Sequence, residues 1–152
     1  MSSAALSVSA AALNQELFEP FGRILNPKPE ESPSAAEKDV FAFYVTFLEH
    51  SRGWQIGYLE HTGRTLDQLE RHPTTPEVFS PLKGEALLVL ALNPEQPGGC
   101  RAFRLEKPIV LKPGVWHGVI ALSEKAEILI VENPDVTDEF HKLERPLTAG
   151  GA

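Results

Sequence analysis

Four side chains that can do acid–base or metal chemistry are concentrated in two short parts of the chain. Glu70, His72 and Glu77 lie within the proline-containing segment Leu69–Gly84. Side chains two residues apart on a strand face the same way, so we expect Glu70 and His72 to point together. Two prolines then bend the chain and can return Glu77 toward them. His117 follows a later turn, at the start of an apolar strand, and completes one predicted site.

Two imidazoles with one or two carboxylates support two kinds of chemistry. In a partly dry cavity a carboxylate and a histidine can be tuned to act as general base and general acid. The same side chains are also the ligand set of a non-heme metal site. The plain alternatives are a solvated strand edge for Glu70 and a hydrogen-bonded core histidine for His117.

The elements that must position these residues are strands. Short apolar, β-branched and aromatic segments recur between turns, and no long helices alternate with them, which favours a β-sandwich or barrel. One helical turn is predicted at Asn14–Phe18 and another near Asp138–Leu143, and residues 26–39 read as a loop. The predicted strands are Phe21–Leu25, Val40–Leu48, Trp54–Glu60, Glu85–Leu92, Arg101–Leu105, Ile109–Leu111, Val115–Leu122 and Glu127–Val131.

Length and charge restrict the class of protein. A chain of 152 residues is the size of one domain, so we expect residues 1–152 to form one, with 1–10 either frayed or an edge strand and 148–152 frayed. The net charge of −7 argues against a nucleic-acid partner. No apolar run reaches the ~20 residues of a membrane helix. With one cysteine and no signal-peptide pattern, we expect a cytoplasmic protein.

The spacing of the site residues resembles the two motifs of the cupin superfamily. Glu70-x-His72-x4-Glu77-x6-Gly84 is similar to the first motif, with Glu70 in place of its first histidine. The later Pro-Gly-x-x-His117 is similar to the second, although its proline and glycine are adjacent. The resemblance implies an all-β, double-stranded β-barrel (jelly roll) with a few short helical turns. It also implies a metal site.

A closer resemblance, from about Leu13 to Val131, is to the ureidoglycolate lyase family. It is carried by Leu-Glu-Arg-His-Pro at 69–73, Phe-x-Pro-Leu-x-Gly ending at Gly84, and Val-Trp-His at 115–117. The family splits ureidoglycolate into glyoxylate and urea in purine and allantoin catabolism, which implies a carbon–nitrogen lyase here. Glu70, His72 and His117 fall on its site positions. Gly-Val follows His117 where many members have His-Pro, which places the substrate in question.

Further site residues follow from this substrate. A 2-hydroxy carboxylate needs a cationic anchor, supplied either by a metal or by Arg64, Arg71 or Lys83. Trp116 is either a core residue or a wall of the substrate pocket. Whether Glu77 and His61 belong to the pocket stays open. The implied metal ligands are Glu70, His72, Glu77 and His117 around one divalent ion (Mn, Zn, Ni or Fe), with no organic cofactor.

Two other functions remain open at this point. One is a metal-dependent cupin enzyme with another small polar substrate, such as a sugar or a keto acid. The other is a non-catalytic cupin that binds a small molecule. The expected partners are the small-molecule substrate and a second copy of the chain in a homodimer, with neither nucleic acid nor membrane.

Overall fold

The computed structural model describes residues 4–96 and 98–150, and nearly all of its regular structure is β-strand. The helix α1 spans Gln15–Phe18. The strands are β1 Leu6–Val8, β2 Ala10–Ala11, β3 Gly22–Ile24, β4 Ala35–Glu37, β5 Phe41–Phe43, β6 Gln55–His61, β7 Thr65–Arg71, β8 Glu77–Lys83, β9 Ala86–Ala91, β10 Arg101–Arg104, β11 Ile109–Leu111, β12 Trp116–Ala121, β13 Ala126–Glu132 and β14 Glu139–Ala149.

Two large sheets make up the body. One has seven strands in the order β1-β14-β7-β12-β9-β10-β2, and the other has five in the order β3-β11-β8-β13-β6. Only Ser9 separates β1 from β2, yet they pair with β14 and β10 at opposite edges of the larger sheet. The larger sheet therefore curls until its two edges meet. The prediction of an all-β, barrel-like fold is confirmed.

The larger sheet is covered on both faces. Alternate residues of β9 point to opposite sides. Leu88 and Leu90 therefore enter one core, called the inner core, while Leu87 and Val89 enter a second, called the outer core. All six residues of β9 are buried, which explains its unbroken apolar sequence. The first, inner core lies between the two sheets and includes Phe18, Phe79, Ile109, Leu111, Val119, Ile128 and Ile130.

Strand register places the candidate site at one end of the space between the sheets. His117 pairs with Leu90 of β9 and with Glu70 of β7, so both site residues share the inner face with Leu90. In the smaller sheet Glu77 pairs with Leu111 and with Glu132. The two sheets thus bring their polar side chains to the same end of the inner core.

The predicted helical turn at Asn14–Phe18 is confirmed. Asn14 is the N-cap, and its side chain accepts a 3.1 Å hydrogen bond from the Leu17 N–H, as its residue type favours. The turn predicted near Asp138–Leu143 is wrong, because this segment begins β14. Burial there alternates residue by residue, which is the period of a strand packed on one face.

The predicted strand Val40–Leu48 is only partly present. Residues 41–43 form β5 and pair with β4, which lies in the segment predicted as a loop. Residues 44–54 are in no strand, and the predicted strand Trp54–Glu60 corresponds to β6, which pairs with β13. Strand propensity alone does not supply a partner strand.

Where the chain ends are described, the edge-strand alternative for residues 1–10 is present, whereas the fraying expected from residue 148 is not. Leu6–Val8 forms an edge strand, and Thr148 and Ala149 pair with it, since Leu6 lies opposite Leu147 and Val8 opposite Ala149. Residues 1–3 and 151–152 lie outside the described residues. Among the described residues, no helix has the length and apolarity that a membrane crossing requires.

Candidate functional site

Two turns precede the strands that carry the site residues. β7 ends immediately before His72, and β8 begins at Glu77. The later turn runs through Gly114, whose φ of 83° is a conformation that glycine adopts without strain. The Gly114 N–H donates a 2.8 Å hydrogen bond to the carbonyl oxygen of His72. The backbone therefore joins the two segments that resemble cupin motifs, and His117 follows at the start of β12.

Both imidazoles reach the same carboxylate oxygen. Nε2 of His72 and Nε2 of His117 each lie 3.0 Å from Oε1 of Glu77. All three residues are buried, with less than a tenth of each exposed. The ring centroids of the two histidines are 5.3 Å apart. Three of the four side chains that the sequence singled out therefore form the buried centre, and the fourth, Glu70, lies beside them.

Three further carboxylates surround His72. Glu70 Oε1 lies 3.6 Å and Glu132 Oε2 3.8 Å from its Nε2, while Asp138 Oδ1 lies 3.0 Å from its Nδ1. Asp138 is 46% exposed on the Nδ1 side of His72, and Glu132 is 14% exposed. On the Nε2 side, which faces the other imidazole, Glu70 keeps 37% of its side chain exposed. It therefore lies at the mouth of the site, between the buried imidazoles and the solvent.

Glu132 and Asp138 were missed by the sequence analysis. Glu132 ends β13 directly opposite Glu77, a position that only the pairing of β13 with β8 defines. Asp138 lies just before β14, in a segment predicted as helical. The available signal was the charged residue at the end of the apolar strand 127–131, on the same strand face as the buried Ile128 and Ile130.

The contact that each histidine makes through Nδ1 decides its tautomer. His117 Nδ1 lies 3.0 Å from the carbonyl oxygen of Val115, and His72 Nδ1 lies 3.3 Å from that of Thr137. A carbonyl oxygen only accepts hydrogen bonds, so each Nδ1 carries a hydrogen. In the neutral form each Nε2 then presents a lone pair toward Glu77. Three acceptor atoms converge, and a cation or added protons must lie among them.

Electrostatics in the metal-free protein place a proton on His72. Contact with Glu77 raises the pKa of His72 from 6.5 to about 9, against the opposing effect of burial. Burial disfavours the charged form of Glu77, but contact with His117 and His72 outweighs it and lowers its pKa from 4.5 to about 2. The centre of the site is therefore an imidazolium–carboxylate pair near neutral pH.

The pKa values of two flanking carboxylates, Glu70 and Glu132, are raised, whereas that of Glu77 is lowered. Burial raises the pKa of Glu70, and the nearby histidines only partly offset it. Burial also raises the pKa of Glu132, and Glu77 adds to this, while the hydrogen bond from Gln55 opposes it. The site thus combines the firmly ionised carboxylate of Glu77 with the carboxyl groups of Glu70 and Glu132, which hold protons more tightly than usual.

The donor set fits a divalent metal ion. The ligand atoms of His72, Glu77 and His117 all lie within 4.8 Å of one another. Oε1 of Glu77 and Oε2 of Glu132 are buried without a well-formed hydrogen bond, which is costly unless something else binds them. An Nδ1–H that donates to a carbonyl while Nε2 faces the site is the usual arrangement of metal-bound histidine. Glu70, His72 and Asp138 form a second, more exposed group of this kind.

The predicted cationic residues do not reach the site. Arg64 lies beyond the start of β7 and donates to the carbonyl oxygen of Leu122 over 2.8 Å. Lys83 is exposed at the far end of β8. Arg64 is six residues from Glu70 and Lys83 is six residues from Glu77, which is roughly 20 Å at the rise of a β-strand. The expectation that Arg64 or Lys83 binds substrate is therefore corrected.

Arg71 and Trp116 face away from the imidazoles. They alternate with Glu70 and His117 on their strands, so they lie on the opposite face of the larger sheet. Arg71 stacks over the Trp116 ring at 4.6 Å and pairs with Glu139 at 3.0 Å. Their predicted role in substrate binding is corrected, because this face belongs to the outer core.

His61 does not belong to the pocket. It pairs with Ala126 at the far end of β13, whereas Glu132 marks the site end. Within residues 4–96 and 98–150, no Lys or Arg forms an ion pair with the four site carboxylates. The positive charge that a carboxylate substrate needs must therefore come from the imidazoles or from a bound metal ion.

Comparison with known proteins gives one family. The family model described as ureidoglycolate lyase matches residues 5–148. A ureidoglycolate lyase of Chelativorans sp. is 35% identical over 79 residues, covering 45% of this chain and 44% of that protein. Those of Rhizobium etli and Schizosaccharomyces pombe are 24% and 23% identical, covering 79% and 85% of this chain and 80% and 85% of theirs.

Two solved structures are distantly similar. RmlC from Streptococcus suis is 21% identical, with a TM-score of 0.42, over 53% of this chain and 43% of that one. An oxalate decarboxylase of Bacillus subtilis is 15% identical, with a TM-score of 0.43, over 59% and 24%. Likenesses at this level carry no argument about the site.

Proposed function

Because the chain belongs to the ureidoglycolate lyase family, whose model matches residues 5–148, we propose that it cleaves ureidoglycolate to glyoxylate and urea. The observation that supports this activity best is the approach of both imidazoles to Glu77 Oε1, each at 3.0 Å, with Glu70 at the mouth. This arrangement places two imidazole Nε2 atoms at a buried centre, where a protonated histidine or a bound metal ion can meet an anionic substrate. It also offers an adjacent carboxylate that can move a proton.

The reaction requires a proton to leave one atom and arrive at another. Ureidoglycolate carries a hydroxyl group and a urea nitrogen on the same carbon. Removal of the hydroxyl proton lets the oxygen form the carbonyl of glyoxylate while the carbon–nitrogen bond breaks. The departing nitrogen keeps the bonding electrons and takes a proton, which gives urea. One base and one acid, or one group that does both in turn, suffice.

Glu70 is the best-placed group for the proton transfer. It is the half-buried carboxylate at the mouth, 3.6 Å from His72 Nε2, so a substrate at the centre would contact it. We assign Glu70 to take the hydroxyl proton. His72 and His117 lie at the centre beside Glu70, where they would hold the metal ion proposed below. The walls of the inner core keep water away from the breaking bond.

We propose one divalent metal ion at the centre, held by His72, Glu77 and His117 with Glu70 beside it. Bound there, it would supply the positive charge for the substrate carboxylate and hydroxyl oxygens. Two imidazoles with carboxylates suit Mn²⁺, Zn²⁺, Ni²⁺ or Fe²⁺, and replacement of a histidine by Glu70 makes the set harder, which favours Mn²⁺ or Fe²⁺ over softer ions. No organic cofactor is part of this proposal.

The test is release of urea and glyoxylate by purified protein, with and without added Mn²⁺ or Zn²⁺. His117→Ala should lower the rate by about 100-fold or more, as expected for a lost ligand or acid–base group. His141→Ala is the matched control, because His141 packs on Trp116 on the other side of the sheet. Wild-type protein that binds glyoxylate without turnover would instead indicate a binding protein. Full activity in chelator would assign acid and base roles directly to Glu70 and His72.

We further propose that the protein is cytoplasmic and a homodimer. The single free cysteine, half-buried Cys100, is consistent with a reducing compartment. The homodimer is supported by the exposed apolar side chains between residues 40 and 58.

A further inference from the structure

Large apolar side chains are exposed along one stretch of the chain. Within the described residues, fourteen large hydrophobic side chains are exposed, and nine of them lie between residues 40 and 58. They are Val40, Phe41, Phe43, Val45, Phe47, Leu48, Trp54, Ile56 and Tyr58, each 43–71% exposed. Scattered apolar residues on a surface need no explanation, but a concentration of this kind marks an interface.

The segment Val40–Leu48, here called the arm, has the sequence of a buried strand. Phe41, Phe43, Val45 and Phe47 would lie on one face of a strand, and the other face carries Val40 and Leu48 at its ends. Apolar residues on both faces are typical of strands covered on both sides. In the part of the chain that the structure describes, residues 41–43 of the arm have a strand partner and the others have none, so the rest of the arm lacks the environment that its sequence requires.

The strand that can receive the arm is β6. It ends the five-stranded sheet and pairs on one side only, with β13, among the described residues. Leu59 packs against the inner core, so Ile56 and Tyr58 point to the outer face, where both are more than half exposed. An exposed apolar edge strand is an aggregation hazard that natural proteins cover.

The exposed area matches a dimer contact in size. An aromatic side chain contributes 150–250 Å² when fully buried, so nine large side chains about half exposed present roughly 900 Å². The largest patch on a typical monomer is about 300–600 Å², whereas a stable interface takes about 800 Å² from each partner. The arm and β6 lie on the same chain, so two copies can each give an arm and receive one. A two-fold symmetric contact needs this self-complementarity.

We propose that the arm of one copy lies as an added strand along β6 of a second copy, and that the exchange is mutual. The proposal rests on the homodimer proposed above and assigns its surface. It also places the contact beside the site. Asn133 Nδ2 donates a 3.1 Å hydrogen bond to the carbonyl oxygen of Gly53, and Gln55 Nε2 donates a 2.8 Å bond to Glu132. The start of β6, which follows the arm in the chain, is thus bonded to Glu132, one of the carboxylates around His72.

Sedimentation across a range of protein concentrations tests the proposal. Wild type should be a dimer, and the double variant Phe43→Ser/Phe47→Ser should raise the dimer dissociation constant at least about 100-fold, as loss of two central aromatic contacts does. The matched control is Leu82→Ser/Leu92→Ser, which removes two equally exposed apolar side chains outside the arm and should leave the dimer intact. Circular dichroism confirms that both variants are folded.

The outcomes separate the two proposals. A monomeric wild type overturns the homodimer. A dimeric wild type whose Phe43→Ser/Phe47→Ser variant is equally dimeric overturns the arm contact and leaves the homodimer standing. The lyase assay is independent of both.

Cysteine cross-linking shows whether the arm on β6 belongs to the same chain or to the second copy. In a Cys100→Ser background, a Val45→Cys chain mixed with a Tyr58→Cys chain should form a disulfide-linked heterodimer. The chain carrying both cysteines should cross-link between copies. A cross-link within one chain at high dilution would show that the arm folds back on its own β6, and would overturn the exchange.

Discussion

His72 and Glu77 form a buried ion pair, with 3.0 Å between Nε2 and Oε1, at the point where the two sheets meet. The pair joins the segment after β7 to the start of β8, and a proton on His72 compensates the charge on Glu77. In the metal-free protein this contact makes stability depend on pH at both ends of the range.

The metal-free protein should be most stable between about pH 4.5 and 6.5. The pKa of His72 is raised from 6.5 to about 9, so its contribution is complete below 6.5 and is lost as the pH rises through 9. The pKa of Glu77 is lowered from 4.5 to about 2, so its contribution is complete above 4.5 and is lost as the pH falls through 2. Urea unfolding in chelator at about pH 3, 5.5 and 9 measures this. Glu77→Gln should flatten the profile, and an unchanged profile would contradict the ion pair.

Metal content should depend on Glu77. Elemental analysis of wild type should give close to one divalent ion per chain, because the ligand atoms of His72, Glu77 and His117 converge. Glu77→Gln keeps the shape but removes the charge, and should lose most of the metal. Glu60→Gln, an exposed carboxylate on β6, is the control and should keep it. Metal affinity of wild type should also fall as the pH drops, because protons compete for the imidazoles.

Glu132→Gln should stabilise the metal-free protein. Glu132 lies opposite Glu77 in the strand pairing, and like charges directly opposite each other are destabilising. An amide in its place can donate to Glu77. A gain of about 1 kcal/mol corresponds to a rise of about 2–4 °C in Tm for a domain of this size. Thermal unfolding in chelator at alkaline pH, where both carboxyl groups are ionised, should show the largest rise. A fall in Tm under these conditions would mean that the two carboxylates do not repel each other.

Two glycines with positive φ should tolerate alanine to different extents. At Gly114 (φ 83°) an added Cβ meets nothing within 4 Å, so only the backbone conformation resists, at about 1–2 kcal/mol. At Gly84 (φ 76°) the Cβ would lie 2.1 Å from the carbonyl oxygen of Lys125, so the chain must move as well. Gly84→Ala should therefore lower the free energy of unfolding more than Gly114→Ala. Equal losses in urea titrations would count against the close approach at Gly84.

The alternation of residues on strands was enough to predict part of the site. It placed Glu70 and His72 on one face. The structure agrees, because Glu70 Oε1 lies 3.6 Å from His72 Nε2. The same rule could have excluded Arg71 and Trp116, which alternate with site residues. Counting the strand rise could have excluded Lys83, which is six residues from Glu77. These errors came from treating nearness in sequence as nearness to the pocket.

Other features depended on pairings that no local pattern contains. Asp138 reaches His72 across 66 positions of sequence, and Glu132 reaches it only through the pairing of β13 with β8. Val40–Leu48 has the composition of a strand, but its sequence does not say which edge it joins. Local propensity therefore predicted the kinds of elements well, whereas long-range register decided which side chains meet.

The pairing of β1 with β14 has a consequence for synthesis of the chain. Leu6 lies opposite Leu147, so an N-terminal strand made early must wait for almost the whole chain before its partner emerges. Contacts between distant parts of a sequence also slow folding, because the loop between them must be closed first. During that interval Leu6 and Val8 have no sheet to join, and the larger sheet cannot close its edges. Shielding of the N-terminal segment by a ribosome-associated chaperone should therefore increase the yield of folded protein during rapid expression.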